Sequence, residues 1–96
     1  YFFGARSKKD LFFTDELFAL SRKHPNFKYF PALSEPKPQD NWTGETGLIT
    51  QAVERNMPQN GDTEAYLCGP PPMIDASIKV LTRKGVKEIY IYYDKF

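Results

Sequence analysis

The stretch "AYLCGPPPMIDASIKVLTRKG" (Ala65–Gly85) joins a short apolar run to a helix-like pattern through a stiff turn, with no polar linker. Glu64 to Cys68 reads as a strand. Met73, Ile74, Ser77, Ile78 and Leu81 recur at 3.6-residue spacing, which predicts a helix, and Gly85 supplies its stop. Between them, Gly69 removes a side chain, and Pro70, Pro71 and Pro72 fix φ. The last proline can open the helix, where a missing N–H costs nothing. A strand feeding a helix in this way is half of a β-α-β unit.

Working outward, the same alternation continues. Leu48 to Met57 is helix-like, with Leu48, Ile49, Ala52 and Val53 on one side. It follows a polar loop, Ser34 to Gly47, punctuated by two prolines and two glycines. Phe27 to Leu33 is strand-like, although Pro31 argues for an edge position or an early strand end. Thr14 to His24 reads as a helix capped by Thr14. Asp15 and Glu16 lie at its positive end, Arg22, Lys23 and His24 lie at its negative end, and Leu17, Phe18 and Leu20 form its buried stripe. Tyr1-Phe2-Phe3 reads as the end of a buried strand closed by Gly4. Glu88 to Phe96 ends the chain as an apolar, aromatic strand. The order β-α-β-α-β-α-β predicts an α/β fold, a parallel sheet with helices on both faces.

With 96 residues the chain holds one small core. Hydrophobic residues make up 41% of it and the net charge is +1, so it is globular and sets up no long-range field for nucleic acid or an anionic membrane. One cysteine, Cys68, excludes an internal disulfide framework and suits a reducing compartment. No apolar run approaches the roughly 20 residues that cross a bilayer. No basic segment leads into an apolar stretch as in a signal peptide. Tyr1 in place of an initiator Met, and the abrupt "YFFGARS" opening, lead us to expect a piece of a longer chain.

In a doubly wound sheet, ligands sit beyond the carboxyl ends of the strands. "GARSKKD" (Gly4–Asp10) and "CGPPP" (Cys68–Pro72) fall at that edge. Gly69 lets a flat ring lie against the main chain, and Cys68 presents a small, soft sulfur. Read alone, the turn is better explained by a buried cysteine above a rigid corner. His24 is accounted for by the helix C-terminus, and no spacing of metal ligands is present. Trp42 reads as an anchor for the polar loop. The Phe12–Phe13 pair reads as core or sheet cover.

"YLCGPPPMIDA" strongly resembles the Cys-Gly-Pro-Pro segment of ferredoxin-NADP-reductase-like flavoprotein reductases. "FFGARSKKDLFFTDELFAL", "PALSEP...DNWTGETGLI" and the final "YYDKF" resemble further segments of that family, in order and over essentially the whole chain. The resemblance implies residues 1–96 of a partial NAD(P)H-binding domain whose first strand and helix, with their glycine-rich turn, are missing. It implies that NADH passes a hydride to FAD, and that a [2Fe–2S] cluster carries electrons onward. FAD and cluster would be bound mostly by other domains of the parent chain.

Residue by residue, the resemblance puts Cys68, Gly69, Pro70, Pro71 and Met73 along the nicotinamide pocket, with Cys68 orienting the ring. It puts Gly4, Ala5, Arg6, Ser7 and Asp10 at the adenosine half. There Arg6 stacks on adenine or approaches phosphate, and Ser7 hydrogen-bonds the ribose. Lys8 and Lys9 raise the question of NADPH, although an ordinary solvated turn explains them as well, and relatives of this kind mostly use NADH. Phe96 matches the terminal aromatic that covers the flavin; a core aromatic is the plainer alternative. The segments look most like the reductase components of bacterial phenol, toluene or methane monooxygenases. The NADH-oxidising subunit of sodium-translocating NADH:quinone reductase is the near rival. Partners would be an oxygenase or that quinone reductase complex, and the location the cytoplasm or the cytoplasmic face of the inner membrane. A non-catalytic α/β interaction or regulatory domain is the alternative from another class. It expects clustered acidic residues at strand ends, where this chain has Gly4, Leu33 and Cys68.

Overall fold

A computed structural model describes residues 1–59 and 61–96. The chain divides into two compact units, Tyr1–Ala52 and Val53–Phe96. Every paired strand is parallel, as the alternation predicts. The strands pair as three in the first unit and two in the second.

In the first unit, β1 (Phe2–Ala5), β2 (Phe30–Leu33) and β3 (Glu45–Thr46) pair in that order, with β2 in the middle. The register runs from Phe2 opposite Phe30 to Ala5 opposite Leu33. Pro31 thus lies on a central strand and not at an edge. Its alternation explains how. The N–H groups of Phe30 and Ser34 donate to Tyr1 and Ala5 on the β1 side, so Pro31 faces the other way, toward β3. There β3 begins only opposite Ala32, and the missing N–H leaves no ladder bond unmade. Ala32 and Leu33 are fully buried. Tyr1 is exposed and stands outside the strand; Phe2 and Phe3 are half-buried, so this run is less enclosed than expected.

Helix α1 (Thr14–Lys23) carries β1 over to β2. Thr14 is its first helical residue and not its cap. Phe13 takes the capping position in the left-handed region at φ 58°, and its carbonyl accepts the Leu17 N–H at 2.9 Å. The expected buried stripe is also corrected. No residue of α1 is fully buried; Leu17 is half-buried, Leu20 is exposed, and Phe18 meets the Tyr29 ring edge-on at 5.1 Å while staying open to solvent. Helix α2 (Ile49–Asn56) starts one residue later than expected. Leu48 lies outside it, exposed, its N–H donating to Gln51 Oε1 at 2.8 Å, while Ala52 is fully buried.

In the second unit, β4 (Ala65–Gly69) pairs with β5 (Ile91–Lys95), and α3 (Pro71–Arg83) connects them with a short 3₁₀ turn at Glu88–Tyr90. Leu81, Val86 and Ile91 form the core, with Val53, Met57, Ala65, Leu67 and Ile78 packed against it. Ile74, Ser77 and Leu81 are buried at the expected helical spacing, joined by Val80. Helix α3 ends in a Schellman motif: Val86 N–H donates to Leu81 C=O at 3.0 Å and Gly85 N–H to Thr82 C=O at 3.1 Å. Gly85 has φ 95°, a conformation that costs an L side chain about 1 kcal/mol. A Gly85→Ala change is therefore expected to lower unfolding stability by about 1 kcal/mol, read as a lower urea midpoint at an unchanged slope.

Candidate functional site

Two segments in separate units carry the expected site residues. In the first unit, β1 delivers Gly4 and Ala5. A Cβ on Gly4 would stand 2.9 Å from Ile49 Cβ, so glycine is required there by the close approach of α2, whatever binds nearby. The ladder between β1 and β2 continues into the loops beyond them. Ser34 N–H donates to Ala5 C=O at 2.9 Å and Glu35 N–H to Arg6 C=O at 2.8 Å. Arg6 is exposed; Ser7 beside it is 3% exposed, its hydroxyl 3.4 Å from Asp10 Oδ2. Lys8 to Asp10 form a 3₁₀ turn.

Asp40 is not among the residues expected from sequence, yet it ties this loop to the next. Its Oδ2 accepts the Lys37 N–H at 2.9 Å and the Lys8 N–H at 3.4 Å. The Lys37 amide, chiefly, holds its carboxyl below the usual carboxylate range. A cleft of about 350 Å³ opens beside Lys8, walled by Phe12, Phe13 and Trp42 and by the first residues of α1. Phe12 and Phe13 are exposed, at 59% and 67%, and so are not core, although the Phe12 ring meets that of Phe3 on β1 edge-on at 4.8 Å. Trp42 does anchor its loop, donating from Nε1 to Glu45 C=O at 2.7 Å.

In the second unit, β4 brings Cys68 and Gly69 to its carboxyl end. Cys68 is exposed, which removes burial as its explanation. Gly69 is buried, and the Met73 methyl occupies the space its Cβ would take. Pro70 is extended at the helix cap. Pro71 and Pro72 both lie in the first turn of α3, one residue earlier than the expected opening, and Ile74 N–H donates to Pro70 C=O at 3.1 Å. Phe96 N–H donates to Gly69 C=O at 3.0 Å, so the last residue is held at the same strand end as the turn. Its ring is 76% exposed and not a core aromatic; Tyr90, Tyr92 and Tyr93 are exposed as well. The result is a thiol, a glycine covered by the Met73 methyl, a rigid proline corner and an aromatic ring at one edge.

Residues 1–79 match the family model described as oxidoreductase NAD-binding domain. The chain belongs to this family. Over 100% of its length it is 43% identical to a subunit of the Na(+)-translocating NADH-quinone reductase of Klebsiella pneumoniae, covering 25% of that protein. It is 41% identical, again over 100% of its length, to the reductase component of propane 2-monooxygenase from Rhodococcus jostii, covering 27% of it. The chain therefore spans about a quarter of the length of these relatives. A solved cytochrome P450 reductase of Amycolatopsis matches 97% of the chain with TM-score 0.79 and 30% identity, over 27% of its own length. In a NAD-binding domain, both segments described above lie at strand carboxyl ends, where ligands of α/β sheets bind.

Among the described residues, no helix is long and apolar enough to cross a membrane, and no three His, Cys, Asp or Glu side chains gather as a metal site.

Proposed function

We propose that this chain is the NADH-binding part of an electron-transfer reductase of the ferredoxin-NADP-reductase-like type. The observation that carries the reading is the exposure of Cys68 beside Gly69 and the prolines of α3. A nicotinamide ring lies against the turn at Gly69, where the Met73 methyl covers the glycine, with the Cys68 sulfur on the ring and Pro70 and Pro71 keeping the wall rigid. Alignment is the main requirement of hydride transfer, since a misplacement near 1 Å can cost on the order of a hundredfold. A bound FAD supplies hydride acceptance and release of single electrons; [2Fe–2S] is the onward carrier in the parent chain. Arg6 and Ser7 meet the adenosine half, and Phe96 stands at the flavin side of the nicotinamide pocket.

We take the 96 residues as a partial domain of a longer chain. The short span relative to the matched proteins supports this. The parent passes electrons to an oxygenase component in the cytoplasm. The similarity to the Na(+)-translocating enzyme of Klebsiella favours a second reading, electron delivery to a quinone reductase complex at the membrane. A transmembrane anchor ahead of the flavin domain in the parent gene would separate the two.

Mixed with NADH and ferricyanide, the isolated chain is expected to show no oxidation above background, and appreciable turnover would overturn the division of labour. Amide NMR shifts on NADH addition are expected at Arg6, Ser7, Cys68 and Gly69; shifts confined to other residues would overturn the site.

A further inference from the structure

We propose that Asp40 sets the preference of this domain for the ribose 2′-hydroxyl of NADH over the 2′-phosphate of NADPH. The inference rests on the reading of Arg6 to Asp10 as the adenosine loop. One carboxylate oxygen gathers the amides of Lys8 and Lys37, residues on the loops that follow β1 and β2. Together with the Glu35 N–H on Arg6 C=O, this fastens the chain on both sides of Ser7. Asp40 is thus a positioning residue for the loop, and its charge has a second consequence.

A 2′-phosphate needs fixed cations and free donors. Arg6, Lys8 and Lys9 are the cations of the loop itself, and of these Lys8, together with Lys37, acts on Asp40. The contacts of Lys8 and Lys37 to Asp40 run through backbone N–H groups, and their ammonium charges act on the same carboxylate at longer range. While Asp40 is ionised, it offsets part of that positive field and occupies both amides. A dianionic phosphate then gains little from the loop, whereas a neutral hydroxyl loses nothing. The amide donors, the Lys37 N–H first, lower the Asp40 carboxyl below the usual carboxylate range and so favour its charged form.

The test uses steady-state kinetics of a reductase carrying this domain, with NADH and NADPH as alternative donors. Asp40→Asn keeps an acceptor oxygen for the amides and removes the charge. The NADH-to-NADPH ratio of kcat/KM is expected to fall about fivefold, the worth of one exposed charge interaction. The fall should appear in KM for NADPH and shrink at high salt. Asp40→Glu, and Asp40→Asn combined with Lys37→Gln, are expected to restore most of the ratio. An unchanged ratio in an Asp40→Asn enzyme that still oxidises NADH overturns the proposal. Should that variant not fold, Lys37→Gln alone must raise the ratio, and its failure to do so overturns the proposal equally. A wild-type enzyme that neither binds nor oxidises NADH would instead sink the site reading on which the proposal rests.

Discussion

A Cys68→Ala change in a reductase carrying this domain is expected to slow flavin reduction by NADH by about tenfold to a hundredfold. Later electron transfer to the acceptor should keep its rate, so stopped-flow reduction and steady-state turnover with pre-reduced enzyme separate the steps. The argument is one of placement. Cys68 is exposed at the end of β4 and is followed by a glycine whose Cβ space is taken by the Met73 methyl. In the proposed wall the sulfur is the contact that stands beside the glycine and its Met73 cover. Alanine removes that contact without filling its space, and the ring can then settle away from the attacking geometry. A reductive half-reaction unchanged in Cys68→Ala would mean that the thiol takes no part in placing the ring.

The second large effect is on stability. Ile74 is fully buried, one of the two largest side chains to be so, and an Ile74→Ala change is expected to cost about 3 kcal/mol. Chemical denaturation followed by far-UV circular dichroism would read this as a markedly lower midpoint. A loss below about 1 kcal/mol would mean that the site collapses around the missing atoms. Ile74 lies in the first turn of α3, so the lost packing falls next to the proposed nicotinamide wall. Loosening of that turn links the two predictions: Ile74→Ala is expected to weaken NADH use as well as folding.

The parts of the fold that sequence reveals are those governed by local rules. Helix α3 is bounded by prolines and a glycine whose backbone demands are fixed, and its buried residues keep strict helical spacing. The parts that escape are set by contacts distant in sequence. Strand β3 has two residues, too few to show any alternation. Phe13 displaces Thr14 from the cap by adopting a left-handed conformation that its residue type does not favour. Leu20 and Phe18 follow an amphipathic pattern, but periodicity shows which face a helix turns inward and not whether anything covers it. Pro31 reads as an edge signal in sequence, because the side on which its missing N–H falls depends on where β3 begins.

The site divides in the same way. Cys68, Gly69 and the prolines are legible because their residue types are rare together and their geometry is local. Exposure of Cys68 is not, since one cysteine after an apolar run fits a core equally well. Asp40 escapes altogether. Its partners are Lys37, three residues away, and Lys8, thirty-two residues away, and no spacing in the chain announces the second.

Pro31 has one more consequence, for the behaviour of the first unit among other chains. A strand edge with a long row of unpaired N–H and C=O groups is a template on which a second molecule can add itself. On its β3 side β2 offers no donor at Pro31, so the ladder there cannot lengthen backward from Ala32. The same residue that β2 accommodates without losing a bond therefore leaves one donor fewer for any strand that would extend the pairing on that flank.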